Sequence, residues 1–455
     1  MGRRQFCSIS FLTIAILSIG LSACSSDDDS VSAWTGLTPT AFGMTKEFVY
    51  NYNSLYYLYI DKDKYLDSPE SYIGKVNTQF LVDEGYPWDF HDIYYMYALM
   101  NDPFTNYMDP TRALTYISSW MSSEELMGAG FELDSLKMPD KYIIGQIDRN
   151  SPADKAGLKV GDEITEIEGV SLTNETVFKR LTVAERGDTI TYTIKRDTTT
   201  LTIPVVIDSY RSPTVDISFK DSIPVIKISE FTAYTSNDSG TYGEFVEYLR
   251  ETEKYKTTII DLRYNGGGDL DQCIAMAQTL LSKGDTTIGI ISAYADTIHK
   301  RQAFDTTFYI NKTDGFAKDR YFVFLANGRT ASCSEVMIAG TVANKKYPVI
   351  GTVTYGKGIG QTRSVTPSYS IASITSMKVI DKQRISYHKY GIMPDFTLSD
   401  DDEALEKAVA LAKDQSYVRI AGYGTVNTGN FAKMAVEPDS MPGFYLLPNE
   451  YRKKF

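Results

Sequence analysis

Thr257-Thr-Ile-Ile-Asp-Leu-Arg-Tyr-Asn-Gly-Gly-Gly-Asp-Leu-Asp-Gln-Cys-Ile-Ala-Met-Ala-Gln-Thr-Leu-Leu281 is the stretch that sets the fold class. Its apolar and β-branched opening, Thr257 to Leu262, reads as a buried strand, and three glycines at 266–268 break it. A helix is expected from Leu270 to about Leu281. The same order recurs downstream, where the apolar run Tyr321 to Ala326 meets the turn Asn327-Gly328 and then a helix start near Ser332. Upstream, Val225-Ile-Lys-Ile228 precedes a helical stretch from Tyr242 to Arg250, and Tyr347 to Thr354 supplies a further strand. Strands alternating with helices predict an α/β core with a mainly parallel sheet over residues 209–412.

The region before this core, residues 126–208, has a different character. Tyr142 to Ile147 is a strand candidate. Ser151-Pro152-Ala-Asp154 then reads as an N-cap, a first helical position and an early acid, with Gly157 closing the short helix. Gly161-Asp162 turns the chain into Glu163-Ile-Thr-Glu-Ile167. Further out, residues 45–125 are mostly helical in pattern: Phe48, Tyr52, Leu55 and Tyr56, and again Ile93, Met96, Tyr97 and Met100, recur at three- and four-residue spacing. This Tyr-rich stripe reads as ordinary helical core. The run Asp102-Pro-Phe-Thr-Asn-Tyr-Met-Asp-Pro110 interrupts it with two Asp-Pro steps, which disfavour helix before each proline.

At the N-terminus, Arg3 and Arg4 precede an uncharged run with the apolar centre Phe11-Leu-Thr-Ile-Ala-Ile-Leu17, ending in Leu21-Ser-Ala-Cys24. A basic head, a short apolar span and small residues before a cut predict a secretory signal over residues 1–23; the alternative is an uncleaved membrane anchor, for which the span is barely long enough. Residues 24–44 read as a polar tether, and residues 413–455 as an extension without an assigned role.

Composition excludes several function classes. The 455 residues carry 46 Lys+Arg against 58 Asp+Glu, a net charge of −12, and no basic stretch supplies a nucleic-acid footprint. Three histidines and the absence of any CxxC or HExxH leave no basis for a multi-metal centre. A cut after the signal removes Cys7 and leaves Cys24, Cys273 and Cys333, too few for a disulfide framework.

Three places remain where chemistry could sit. In Thr330-Ala-Ser-Cys-Ser-Glu335, the Ser332/Glu335 spacing is a capping box, and a plain helix cap is one reading. The other is a nucleophile at a strand-to-helix junction, with the Cys333 N–H at the positive end of the helix able to stabilise an oxyanion. A serine needs a base, and His91, His299 and His388 have no spacing that marks a partner. Lys357, between Gly356 and Gly358, is either a surface lysine in a Gly-rich turn or a buried amine kept neutral. If the strand continues past it, Gln361 faces the same way. The glycines at 266–268 present N–H groups to an anion; a phosphate is disfavoured because neither GxGxxG nor GxxxxGK[ST] is present.

Several motifs together resemble the C-terminal processing (tail-specific) serine peptidases, built from a helical segment, a PDZ domain and an α/β core. They are Asp102 to Pro110, the PDZ-like run Ser151 to Gly169, Asp261 to Gly268, Ala331 to Glu335, Gly356-Lys-Gly358 and Gly391-Ile-Met-Pro-Asp395. The resemblance implies domains at 45–125, 126–208 and 209–412. It implies Ser332 rather than Ser334 as nucleophile, Lys357 (25 residues on) as base and Gln361 as the third residue. Gly267 and Cys333 would supply the oxyanion N–H groups, and no metal or cofactor is required. The loop Gly128-Ala129-Gly130-Phe131 would hold a peptide carboxylate, so the implied partners are C-terminal ends of unfolded or flexible polypeptides. Leu-Ser-Ala-Cys24 resembles a bacterial lipobox and the acids behind it resemble the export signal of Bacteroidetes surface lipoproteins. Both imply a cell-envelope protein lipid-anchored to the outer membrane through Cys24, facing the periplasm or the exterior. Departures from the family pattern are Ala343, where some relatives carry an Asp, Cys333, where a small residue is usual, and the long polar segment from Gly289 to Asp319. Two rival functions fit the same residues: an inactive lipoprotein that only binds peptides, and a hydrolase of this fold acting on a non-peptide substrate.

Overall fold

The computed structural model describes residues 44–75, 85–122, 125–134, 141–172 and 185–419, with backbone alone for 118–122. The signal segment, Cys24, the tether up to residue 43 and residues 420–455 lie outside the described residues.

The N-terminal region contains helices α1 (Lys46–Leu58), α2 (His91–Ala98) and α3 (Pro110–Ser122), with a short strand β1 (Asn106–Met108) between the last two. The apolar spacing read from sequence is the buried face: Phe48, Tyr52, Leu55, Ile93, Met96 and Tyr97 share one core cluster. The tyrosines in it are core residues with satisfied hydroxyls. Tyr59 donates to the Met100 carbonyl at 2.8 Å, Tyr97 to Asn51 Oδ1 at 2.9 Å and Tyr94 to Asp109 Oδ2 at 2.7 Å.

The next region is a small β-rich domain: β2 (Leu126–Gly128), β3 (Phe131–Leu133), β4 (Ile144–Ile147), helix α4 (Pro152–Ala156), β5 (Glu163–Ile167), β6 (Val170–Ser171), β7 (Thr189–Arg196), β8 (Thr199–Val206) and β9 (Asp208–Tyr210). The local reading of α4 holds in detail. Ser151 accepts from the Asp154 amide, Pro152 takes the first turn, and Gly157 closes the helix at φ 87°. Arg149 docks this domain on the core, 2.9 Å from Glu251 and 3.2 Å from Glu247, its guanidinium 4.7 Å from the centre of the Tyr248 ring.

The core contains β10 (Val215–Lys220), β11 (Ile223–Ile228), α5 (Gly240–Glu251), β12 (Thr257–Asp261), α6 (Leu270–Thr279), β13 (Thr286–Asp296), β14 (Arg301–Ile310), β15 (Tyr321–Ala326), α7 (Cys333–Lys345), β16 (Val349–Gly351), β17 (Ile359–Val365), β18 (Ile371–Ile380), β19 (Phe396–Thr397) and α8 (Asp401–Asp414). Its main sheet runs β10-β11-β12-β15-β16-β19. Only the β10–β11 pair is antiparallel; β11–β12, β12–β15, β15–β16 and β16–β19 are parallel, as the alternating pattern predicts. Strand alternation divides the side chains between two layers. Ile260, Phe322 and Phe324 pack under α5, α6 and α7, while Ile259, Val323 and Leu325 pack under α8.

A second, antiparallel sheet runs β1-β18-β13-β14, with β17 beside β18. It was not legible as a separate layer. The polar segment noted in the sequence is its long β13–β14 hairpin, and β1 joins it from the N-terminal region through Asn106↔Ser373, Tyr107↔Ala372 and Met108↔Ile371. This pairing brings the Asp102–Pro110 run against the core.

Candidate active site

Two strand-to-helix junctions of the main sheet meet. After β12 the chain runs through Asn265-Gly-Gly-Gly268 into α6; after β15 it runs through Asn327 to Ser332 and into α7. Backbone and side-chain bonds stitch the two turns: the Ala331 amide donates to the Asn265 carbonyl at 3.0 Å and the Thr330 hydroxyl to the Leu262 carbonyl at 2.8 Å. Ser332 caps α7 at φ 55°, ψ −115°, a backbone conformation that side-chain-bearing residues seldom adopt and that recurs at functional turns. It is half-buried. Ser334 is fully buried, its hydroxyl donating to the Asn265 carbonyl at 3.0 Å.

Gly267 lies directly beneath Ser332. A Cβ on Gly267 would come 2.7 Å from Ser332 Cβ and 2.9 Å from the Cys333 amide nitrogen, so a side chain there would cover both hydroxyl and amide. The Gly267 N–H, however, donates to Asn265 Oδ1 at 2.8 Å. Of the two amides expected at the oxyanion position, this one is therefore already engaged, because the Asn265 side chain closes the glycine turn on itself. Cys333 is joined to Cys273 of α6 by a disulfide with Cα atoms 5.6 Å apart. The two cysteines are too few for a framework, yet they tie the first residue of α7 to the helix that follows the glycine loop.

Glu335 was read from sequence only as half of a capping box. It is fully buried, and its Oε2 accepts from the Ser332 amide at 2.9 Å and the Lys357 amide at 2.7 Å. Its Oε1 accepts from the Gly356 amide at 2.7 Å and the Thr354 hydroxyl at 2.5 Å. Burial pushes its pKa up to about 7 against the pull of these four donors. The spacing to Ser332 was visible in the sequence. The second half of the clamp, on residues 354–357, is a tertiary contact that no local spacing reports.

Lys357 is buried, 6 % exposed, with its Nζ 4.6 Å from the centre of the Phe104 ring. Burial, aided by the positive charge of Arg363, lowers its pKa to about 8, while Asp102 and Glu335 act in the opposite direction. The flanking glycines serve close approach: a Cβ on Gly356 would meet the Gly391 amide at 2.8 Å, where residues 387–391 pack behind the lysine loop.

Lys357 and Gln361 do not share the continuous strand expected from sequence. The strand begins at Ile359, after Lys357, and its pairing with β18 shifts register between Gly360 and Gln361. Simple two-residue alternation therefore does not relate positions 357 and 361. The Gln361 side-chain Nε2 donates to Thr375 Oγ1 at 3.3 Å.

In the small domain, the loop Gly128 to Phe131 turns its carbonyls inward. Ala129 accepts from the Ala153 amide at 2.7 Å, and Gly130 accepts from the Asp148 amide at 3.0 Å and the Ser151 hydroxyl at 3.1 Å. Phe131 packs edge-on against Tyr192, and a cavity of about 310 Å³ opens beside it, lined by Leu126, Asp148, Tyr210, Pro213 and Asp216. Among the described residues no cluster of His, Cys, Asp and Glu has the make-up of a metal site, and no helix is long and apolar enough to cross a membrane.

Two family models match the chain, one over the core and one over the small β-rich domain. Residues 222–398 match the model of peptidase family S41, and residues 126–207 match that of the PDZ domain. A probable CtpA-like serine protease of Staphylococcus haemolyticus is 25% identical over 394 residues, 85% of this chain and 72% of that protein. One from Staphylococcus aureus is 29% identical over 304 residues, 66% of this chain and 58% of that protein. Among solved structures, the photosystem II D1 C-terminal processing protease aligns with a TM-score of 0.44 and 19% identity over 80% of this chain and 96% of that one. The chain is a serine-type peptidase. It joins a PDZ domain to a peptidase family S41 core, the combination that its resemblance to the C-terminal processing peptidases implies.

Proposed function

We propose that this peptidase cleaves polypeptides by a Ser332–Lys357 mechanism, with the PDZ domain delivering their C-terminal ends. The observation that carries the reading is the Glu335 oxygen that accepts from both the Ser332 and Lys357 amides, which brings the two backbones within two hydrogen-bond lengths. Burial favours the neutral amine, and a neutral amine can take the Ser332 proton as that oxygen attacks the scissile carbonyl. The Cys333 N–H, at the start of α7, stabilises the resulting oxyanion, and the Gly267 N–H joins it by sharing or exchanging its bond to Asn265. Protonated Lys357 then gives its proton to the leaving amine, and water resolves the acyl-enzyme. Gln361, held by Thr375, supports the lysine loop without adding a negative charge.

The substrates we propose are unfolded or flexible chains whose carboxylate end adds as a strand to the PDZ domain at Gly128 to Phe131. The proposed site of action is the cell envelope, the protein held to the outer membrane by lipid on Cys24; the motif of residues 21–24 supports this. The test is incubation of the purified protein with an unfolded protein, wild type beside Ser332→Ala, read by mass spectrometry. Fragments that appear only with the wild type support the reading. Fragments from both, or from neither, refute it.

A further inference from the structure

The turn Asp102–Thr105 comes from the N-terminal region, far from either junction in sequence, and is tightly closed. The Phe104 amide donates to Asp102 Oδ1 at 2.9 Å and the Thr105 hydroxyl to Asp102 Oδ2 at 2.7 Å. Two contacts pin it to the second sheet: the pairing of β1 with β18, and the Thr375 amide donating to Thr105 Oγ1 at 2.9 Å. Thr375 is also the residue that receives Gln361. One run of hydrogen bonds therefore links Asp102, Thr105, Thr375 and Gln361, and it leaves the buried Phe104 ring against the Lys357 amine.

We propose that Asp102 and Phe104 are positioning residues of the base site, Phe104 shielding the Lys357 amine from water and Asp102 supplying a negative charge that steadies its protonated form. This rests on the reading of Lys357 as the base. The groups that face the amine divide by sign. Arg363 on β17 disfavours its protonation, while Asp102 and Glu335 on α7 favour it. His388, whose Nδ1 lies 3.2 Å from the Gly356 carbonyl, is driven by burial to a pKa of about 4 and adds no charge between pH 6 and pH 10. A base that must accept a proton and later release it benefits from a nearby charge that steadies the intermediate state. The Glu335 charge is already committed to four donors that hold the backbone.

The test uses a fluorophosphonate as probe and follows the rate of Ser332 acylation from about pH 6 to pH 10 in wild type, Asp102→Asn, Phe104→Ala and Lys357→Ala. Asp102→Asn keeps an oxygen for the Phe104 amide but removes the charge; the acid limb should move to lower pH by about 0.5–1 unit. Phe104→Ala admits water to the amine, and the limb should move to higher pH by a similar ~0.5–1 unit. Opposite shifts are the signature, since a structural role alone would lower the amplitude of both variants and leave the midpoints in place. Should Phe104→Ala fail to fold, the direction of the Asp102→Asn shift decides. Unmoved midpoints, or shifts of the same sign, overturn the inference. If Lys357→Ala keeps the wild-type limb, the base reading itself fails and this inference falls with it.

Discussion

The backbone amides of Ser332 and Lys357 donate to the same carboxylate oxygen, Oε2 of Glu335. One buried side chain thereby fixes the distance between two segments that lie on different elements, the cap of α7 and the loop before β17. The strained conformation of Ser332 is held by this bond on one side and by the Asn265–Ala331 contact on the other.

Glu335→Gln tests this clamp. The amide keeps the volume but turns an NH2 group toward amides that can only donate, leaving buried donors unpaired at a cost of about 1–3 kcal/mol. The melting temperature should fall, and kcat should fall by about 100-fold or more with KM little changed. A variant with wild-type kcat would show that the clamp does not govern the site.

Activity should depend on pH in a defined direction. The base must be uncharged, so kcat/KM should rise as pH passes upward through about 8, where Lys357 loses its proton. Below about pH 7 Glu335 also takes up a proton, and the acid limb should steepen from one proton to two. Both shifts act in the same direction, so a limb that falls with increasing pH over this range would contradict the assignment.

The Cys273–Cys333 disulfide closes 60 residues of sequence between the helices that flank the glycine loop and the nucleophile turn. By chain entropy a link of that span is worth ~4 kcal/mol. Treatment with a dithiol should lower both melting temperature and kcat. The Cys273→Ala/Cys333→Ala double variant should show reduced values already and no response to the dithiol. Equal stability with and without reductant would indicate that the bond contributes nothing.

The PDZ domain can be disabled separately. A Cβ on Gly130 would come 2.2 Å from Ser151 Cβ, and the residue sits at φ 81°, so Gly130→Val should disrupt the loop against α4. Binding of a C-terminal peptide, measured by calorimetry, should weaken and KM should rise. Ser332 should still be acylated by a fluorophosphonate at a near-normal rate.

Much of the fold was legible because it is local. Thr257 to Asp261 and Tyr321 to Ala326 are short, apolar and bounded by Gly or Asn turns, and the Ser151–Gly157 helix carries both of its caps in sequence. The second sheet was not legible: β1 reaches β18 across more than two hundred residues, and the polar face of the β13–β14 hairpin hides its strand character. For the site, the local sequence around Ser332 and Lys357 also fitted a helix cap and a surface lysine, and it was the resemblance that singled the two residues out. Glu335 as a clamp, and the Phe104 ring against the lysine amine, could not be seen, because these contacts exist only in the assembled fold. The register shift between Gly360 and Gln361 likewise breaks the even spacing expected of positions 357 and 361.

The most direct measurement is the rate at which a fluorophosphonate forms a covalent adduct, located by peptide mass mapping, in wild type and Lys357→Ala. The expected result is a single adduct on the peptide that contains Ser332, formed about 100- to 10,000-fold more slowly when the amine is removed. An adduct on another residue, or one that forms on Ser332 equally fast without Lys357, would contradict the pairing of these two side chains.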